Sequence, residues 1–297
     1  MANTIALAKN YISSLDEVYK LASLTSDLLS DQSTARQGAN ANEILVPTLS
    51  MDGLADYSRN SGYVKGDVKL EWNTLKFDYD RGRKFEVDTM DDEETINIAF
   101  AKLAAEFIRT KVVPEDDAYT FAKLASLSGI SKVAAGATLS DGAAVMAAIK
   151  AALDTMDEDE VPEENRFLYI TPTNLSAIKS METTKSRELL DGFAKIVKVP
   201  QSRFYTAIEL YDGQDHTDSE GADETVGGYV KAATAKDINF MIIHKPAIYK
   251  YFKHTASNII TPEANQDSDG YIQKFRKYGI VNAYQNKLAG IYLHHKA

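Results

Sequence analysis

Between Leu75 and Ser126 the spacing of apolar residues changes once, and the change separates two kinds of element. Leu75, Phe77 and Tyr79 alternate with Lys76, Asp78 and Asp80, and Phe85 and Val87 continue the alternation. Period two over half-buried positions predicts two strands. The turn between them is expected at Asp80-Arg81-Gly82-Arg83, with Gly82 supplying a positive φ. From Ile96 the period becomes helical: Ile96, Phe100, Leu103 and Phe107 share one face, and Asn97, Lys102, Glu106 and Arg109 lie towards the other. Asp91 and Glu94 have capping-box spacing, and the acids from Asp91 to Glu94 suit the positive end of a helix dipole. Pro114 is expected to stop this helix, because it lacks a donor and biases Val113 away from helical geometry. A second helix, carrying Tyr119, Phe121 and Leu124, is predicted from about Glu115.

The same reading extends to both ends of the chain. Ile5, Leu7, Tyr11, Ile12, Leu15, Val18, Tyr19, Leu21 and Leu24 give Thr4 to Leu29 apolar faces too broad for a free surface helix. With the polar connector Ser30 to Asn42, this segment reads as an arm packing outside its own domain; the plainer alternative is a terminal helix docked on its own core. Glu43 to Thr48 is a short apolar strand, and Val68, Leu70 and Trp72 alternate with Lys69 and Glu71. Glu43 to Asp88 thus forms an elongated β-excursion with a hydrophilic tip and too little core to stand alone. Gly129 to Ser140 is small and flexible in composition and marks a subdomain boundary. An α/β alternation follows: a helix over Asp141 to Met156, a buried strand Arg166 to Ile170, and a helix opened by Thr171-Pro172 and reaching about Met181. Strand material lies between Lys195 and Tyr211, an exposed loop over Asp212 to Gly228, a strand over Ile238 to His244, and a short helix from Pro246 to about Phe252. Strands are then expected over Tyr271 to Tyr278, Gly279 to Tyr284 and Gly290-Ile291-Tyr292.

Composition narrows the chemistry. The chain has 297 residues, 44% hydrophobic and 26% charged, which is ordinary for globular protein. It has no cysteine, so thiol catalysis, disulfides and cysteine-held metals are excluded. The first residues lack a basic-then-apolar leader pattern, and no run approaches the roughly 20 apolar residues of a membrane span. The expected address is the cytoplasm of the producing cell, with no membrane partner. A net charge of -10 argues against a dedicated nucleic-acid binder but not against a container for nucleic acid.

Candidate sites are few. None of the histidines, His216, His244, His254, His294 and His295, has metalloprotease spacing. His294 and His295 read as a solvated pair, and His244 as a structural histidine. Asn265 to Gly270 begins like a calcium loop, but Arg276 stands where the bidentate glutamate is required. The acidic run Asp154 to Glu164 reads as a solvated loop. Phosphate-loop, dinucleotide and Gly-x-Ser-x-Gly signatures are missing from the sequence. No enzyme activity, cofactor or metal is expected.

The junction Leu75 to Ser126 and the C-terminal segment Ile259 to His295, with its Thr261-Pro262 turn, aromatic-basic strand and Gly-Ile-Tyr closing strand, resemble tailed-bacteriophage major capsid proteins in the same order. His244-Lys245-Pro246-Ala247 looks like that family's passage out of its inner domain. The resemblance implies an α+β tailed-phage capsid fold: an N-terminal arm (1–42), an extended β-hairpin loop (43–88), a peripheral domain on a long spine helix (89–134 and 245–285), and an axial α/β domain (135–244 and 286–297). It also implies a structural subunit that self-assembles into pentamers and hexamers of an icosahedral shell around double-stranded DNA, without sequence-specific binding. Scaffolding, portal and maturation proteins would be further partners, and the location would be the virion capsid, assembled in the host bacterial cytoplasm. Tyr63, Lys65, Lys69, Trp72, Arg81 and Arg83 are the interface residues expected from this reading. Lysine–asparagine cross-links occur in some members; Lys65, Lys69 and Asn282 are placed near such roles, but no motif here carries that chemistry over. The alternatives are an encapsulin-like nanocompartment of the same fold and, from another class, a soluble cytosolic α+β enzyme using the acidic cluster.

Overall fold

The computed structural model describes residues 22–30, 36–37, 43–94, 103–132, 135–181, 183–217 and 221–297. The helix expected over Thr4 to Leu29 lies outside the described residues as far as position 21. Its described end is a single 3-10 turn, Ser26–Leu28. Most of the connector, and Ile96 and Phe100 of the long helix, also lie outside them.

The strands β1 (Arg36–Gln37), β2 (Glu43–Met51) and β3 (Val68–Lys76) form one antiparallel sheet in that order. The expected turn at Asp80 to Arg83 is not formed. β3 pairs with β2, from Glu43↔Lys76 to Met51↔Val68, and the chain then passes through Phe77 and Asp78 into a separate strand, β4 (Tyr79–Asp88). Gly82 lies within β4, and a Cβ there would stand 2.8 Å from the Phe275 carbonyl oxygen, so this glycine serves close strand approach instead of a turn.

Helix α1 (Thr89–Glu94) starts two residues before the expected capping box, because Asp88 Oδ1 already accepts the Met90 amide at 2.9 Å. Helix α2 (Leu103–Phe107) widens into a π-helical turn, Ile108–Val112, and continues as α3 (Val113–Ala125). Pro114 therefore does not stop the helix. The π turn moves the carbonyl that a proline ring would strike and removes the hydrogen bond it could not make.

Next come β5 (Ser131–Lys132), α4 (Gly142–Glu158), β6 (Arg166–Ile170), α5 (Pro172–Lys179), α6 (Thr184–Asp191) and β7 (Lys195–Lys198). Asp141 caps α4 by accepting the Ala144 amide at 2.8 Å. A small hairpin, β8 (Ile208–Tyr211) with β9 (Gly228–Lys231), precedes β10 (Ile238–His244). The helix expected after Pro246 is only the 3-10 turn Lys245–Ala247, followed by the long strand β11 (Ile248–Ile260). Tertiary pairing decides this: β11 runs antiparallel to β12 (Gly270–Ala283) along almost its whole length. The last strand is β13 (Ile291–His295).

Two further sheets carry the body: β5-β13-β10-β6-β7, and β11-β12-β4. In the five-stranded sheet β6 and β10 are buried along their whole length, which explains their unbroken apolar runs. Phe167, Tyr169, Met241 and Ile243 face a core shared with Phe121, Leu124 and Val281. Leu168, Ile170, Phe240 and Ile242 face α4 and α5 through Val145, Ile149, Leu175 and Ile178. Burying each such side chain contributes about 1.5–3 kcal/mol, so both faces of this sheet add to the driving force for folding.

The terminal histidines do not form a solvated pair. His294 is buried opposite Phe240 and stacks on its ring with centroids 4.9 Å apart, while strand alternation turns His295 outward. His244 is buried, as a structural histidine should be. The acidic run is partly helical: Asp157, near the end of α4, pairs with the buried Arg166 at 2.6 Å, and the acidic residues beyond it are exposed.

Candidate functional site

The β2–β3 hairpin is anchored at its base and bare beyond it. At the base, Ile44, Val46, Leu75 and Phe77 pack with Tyr249, Tyr251, Ile280 and Tyr284 of the β11–β12 region. Further out, the pairs Pro47↔Trp72, Leu49↔Leu70 and Met51↔Val68 succeed one another at every second position. Period two puts all six side chains on one face, so the hairpin carries an apolar stripe. Leu70 is 56% exposed and Val68 67% exposed. The opposite face is polar, with Asn73 Nδ2 donating to Thr48 Oγ1 at 2.7 Å and Lys69 paired with Glu71 at 2.5 Å.

The tip has a defined turn. Ser58 and Gly62 exchange backbone hydrogen bonds at 3.2 and 2.7 Å, and Gly62 takes φ 75°, which glycine adopts without strain. Asp52 Oδ2 accepts the Asp67 amide at 2.8 Å and closes the neck of the tip. The Tyr57 and Tyr63 rings meet at 4.8 Å, yet Tyr63 stays 88% exposed and Leu54 fully so. Four of the expected interface residues, Tyr63, Lys65, Lys69 and Trp72, thus share this exposed hairpin.

Arg81 and Arg83 lie elsewhere and contact their own chain. Both project from one face of β4. Arg81 Nε meets Glu115 Oε1 at 2.7 Å, and its Nη2 donates to the Gly228 carbonyl at 3.2 Å. Arg83 Nη2 donates to the Thr225 carbonyl at 2.8 Å. Gly213 has positive φ, and a Cβ there would come within 2.7 Å of Arg83 Nη1, so this glycine lets the loop lie close against the guanidinium. Tyr79 donates to Glu115 Oε1 at 3.3 Å; burial, followed by the Glu115 and Asp116 charges, pushes its phenol far above the ordinary value and keeps it a donor. The two arginines form one wall of a cleft of about 1020 Å³ between β4, the α2–α3 helix and the β8–β9 hairpin, with Phe85, Phe107, Val226 and Phe275 also lining it.

The loop beside that cleft holds a cluster that spacing alone did not reveal. Asp212, His216 and Glu224 bring their ligand-type atoms within 4.8 Å of one another. His216 Nε2 lies 2.9 Å from Asp212 Oδ2, and Glu224 Oε2 accepts the Asp212 amide at 2.9 Å. The hydrogen bond to Asp212, with its charge, raises the His216 pKa. His216 and Asp212 form an exposed pair on one side of the loop, and Glu224 ties the other side to it through the Asp212 amide. The Asn265–Gly270 turn is likewise closed by its own groups, since Asn265 Nδ2 donates to Ser268 Oγ at 2.9 Å and to the Gly270 carbonyl at 3.0 Å.

No protein-family model matches this sequence, and no curated protein matches it. Solved structures do. A chain of the bacteriophage PhiM1 mature capsid is 12% identical with a TM-score of 0.66, over 98% of this chain and 92% of that one. The capsid of Myoviridae phage XM1 gives 12% identity and a TM-score of 0.62 over 100% of both chains. A Mycobacterium phage Che8 chain gives 12% identity and a TM-score of 0.61 over 97% of this chain and 98% of that one. At such identities the likeness is one of fold: this chain has a mixed α+β fold of the kind found in phage capsid proteins.

Proposed function

We propose that the chain is the structural subunit of an icosahedral tailed-phage capsid, assembling with itself into pentamers and hexamers that enclose double-stranded DNA. The observation that carries this reading is the apolar stripe Pro47–Trp72, Leu49–Leu70, Met51–Val68, held out from the body on a chain with a phage-capsid fold. An apolar strip of this kind on a projecting element marks a contact surface. A standard interface takes about 800 Å² from each partner, and a long hairpin reaches that area without enlarging the body. Such a contact joins the hairpin of one subunit to a different surface of the next, and heterologous contacts of that type close into rings.

In this reading 1–42 is an arm, 43–88 an extended loop, 89–134 with 245–285 a peripheral domain, and 135–244 with 286–297 an axial domain. The role is structural and not catalytic, and the shell resides in the virion after assembly in the host cytoplasm. Arg81 and Arg83 support it indirectly, by fixing the β8–β9 hairpin against β4. The test is replacement of Ser58 to Val64 by a short Gly-Ser link. Circular dichroism of the unassembled variant should show unchanged cooperative folding, while particle counts fall relative to the unaltered chain. Normal shell yield and stability from the variant contradict an interface role for the hairpin tip.

A further inference from the structure

The interior contains a second organised feature, remote from the hairpin stripe. Asp116 and Asp117 are adjacent on α3, and both are buried. Five donors converge on the Asp117 carboxylate. Four come from one short segment: Ser23 Oγ at 3.2 Å, the Leu24 amide at 3.1 Å, the Thr25 amide at 3.1 Å and Thr25 Oγ1 at 2.7 Å. The fifth comes from the buried Arg203, through Nη1 at 2.9 Å.

Thr25 then hands the contact on. Its Oγ1 accepts from Lys250 Nζ at 2.8 Å, and that ammonium, fully buried on β11, also donates to Thr120 Oγ1 at 2.9 Å and Asp116 Oδ2 at 3.0 Å. Lys277 of β12 reaches the same Asp116 oxygen at 3.2 Å. The segment is held at its far end too. The Ser30 amide donates to the Lys250 carbonyl at 2.9 Å, and the Lys250 amide to Ser30 Oγ at 3.1 Å. Leu28 enters the core shared by both larger sheets, and Asp27 pairs with Lys195.

Four parts of the molecule therefore meet at one buried point: the segment Ser23–Ser30, helix α3, the strand pair β11–β12, and Arg203 beside β8. An ionic network of this sort yields little net stability against an apolar core of equal shape, because desolvation offsets attraction. It does impose geometry: a carboxylate only accepts and a guanidinium only donates. Of the large apolar side chains in the segment only Leu28 is fully buried, with Leu24 partly so, and polar contacts make up most of its attachment.

We propose that Asp117, Thr25 and Lys250 form a lock that pins Ser23–Ser30 as a strap across the junction of the two sheets, and that this strap releases as a unit while both sheets stay folded. The inference concerns the single subunit and stands apart from the assembly reading.

Hydrogen–deuterium exchange on the full chain tests it. Thr25→Val is the first variant, since it removes the shared hydroxyl and leaves the Asp117–Arg203 pair in place; Asp117→Asn is the second. Exchange at the Leu24, Leu28, Leu29 and Ser30 amides should accelerate about 10- to 100-fold in Thr25→Val, while amides of Ile238–Ile243 stay within about twofold. Unchanged exchange of the segment in both variants overturns the lock. Equal acceleration in the segment and in Ile238–Ile243 overturns it as well, because the strap would then be part of one cooperative core.

Discussion

His294 lies between an aromatic ring and an amide: it stacks on Phe240, and its Nδ1 accepts from Asn239 Nδ2 at 3.0 Å, which leaves the proton on Nε2. Burial first, and then the neighbouring His295, lower its pKa to about 4. The ordinary value is near 6.5, so between these limits the unfolded chain binds a proton that the folded chain refuses. The stabilising contribution is therefore complete above about pH 6.5 and is lost as pH falls towards 4, amounting to about 2 kcal/mol by pH 5. His244, also lowered by burial, acts in the same direction. Following the His294 ring protons by NMR should give a titration midpoint near 4; a midpoint near 6.5 contradicts the buried, stacked placement. The sequence did not reveal this histidine, because His294 and His295 look alike until strand pairing turns one of them inward.

At the scale of elements, the long helix is held to the three-stranded sheet by aromatic contacts. Phe107 meets Phe85 edge-on at 4.7 Å and Phe275 at 5.9 Å. Phe107→Ala removes a half-buried ring from this junction and should cost about 2 kcal/mol. Urea denaturation checks this; an unchanged midpoint means that the helix does not depend on the contact. The face carrying Phe107 was legible from helical spacing, as were the runs of β6 and β10 and the helix α4, although Asp141, read as its first residue, caps it from outside. What escaped was long-range. Alternation across Leu75 to Val87 is equally compatible with a local hairpin and with two strands of different sheets, and only the pairing of β3 with β2 and of β4 with β12 decides. The strand β11 failed for the same reason, since its partner begins only at Gly270. Pro114 misled because a proline in the first turn of a helix is tolerated, and the preceding π turn lets that first turn follow another helix directly.

For the whole molecule, the α+β class was expected from the sequence, and the fold found by structural likeness agrees with it. The candidate site was legible in part. Tyr63, Lys65, Lys69 and Trp72 fall together on the exposed hairpin, because alternation and turn residues are local signals. Arg81 and Arg83 lie away from them on β4, where their side chains reach Glu115 and the Thr225 carbonyl of the same chain. Neither the lock at Asp117 nor the Asp212–His216–Glu224 cluster leaves a sequence signature, since each gathers residues from separate segments or from both sides of a loop.

Negative-stain electron microscopy of the purified protein, with light scattering on the same sample, tests whether this chain builds a closed shell as proposed. Regular closed particles of megadalton mass are expected. A stable monomer or dimer under all assembly conditions contradicts it and returns the chain to the class of soluble α+β proteins with another role.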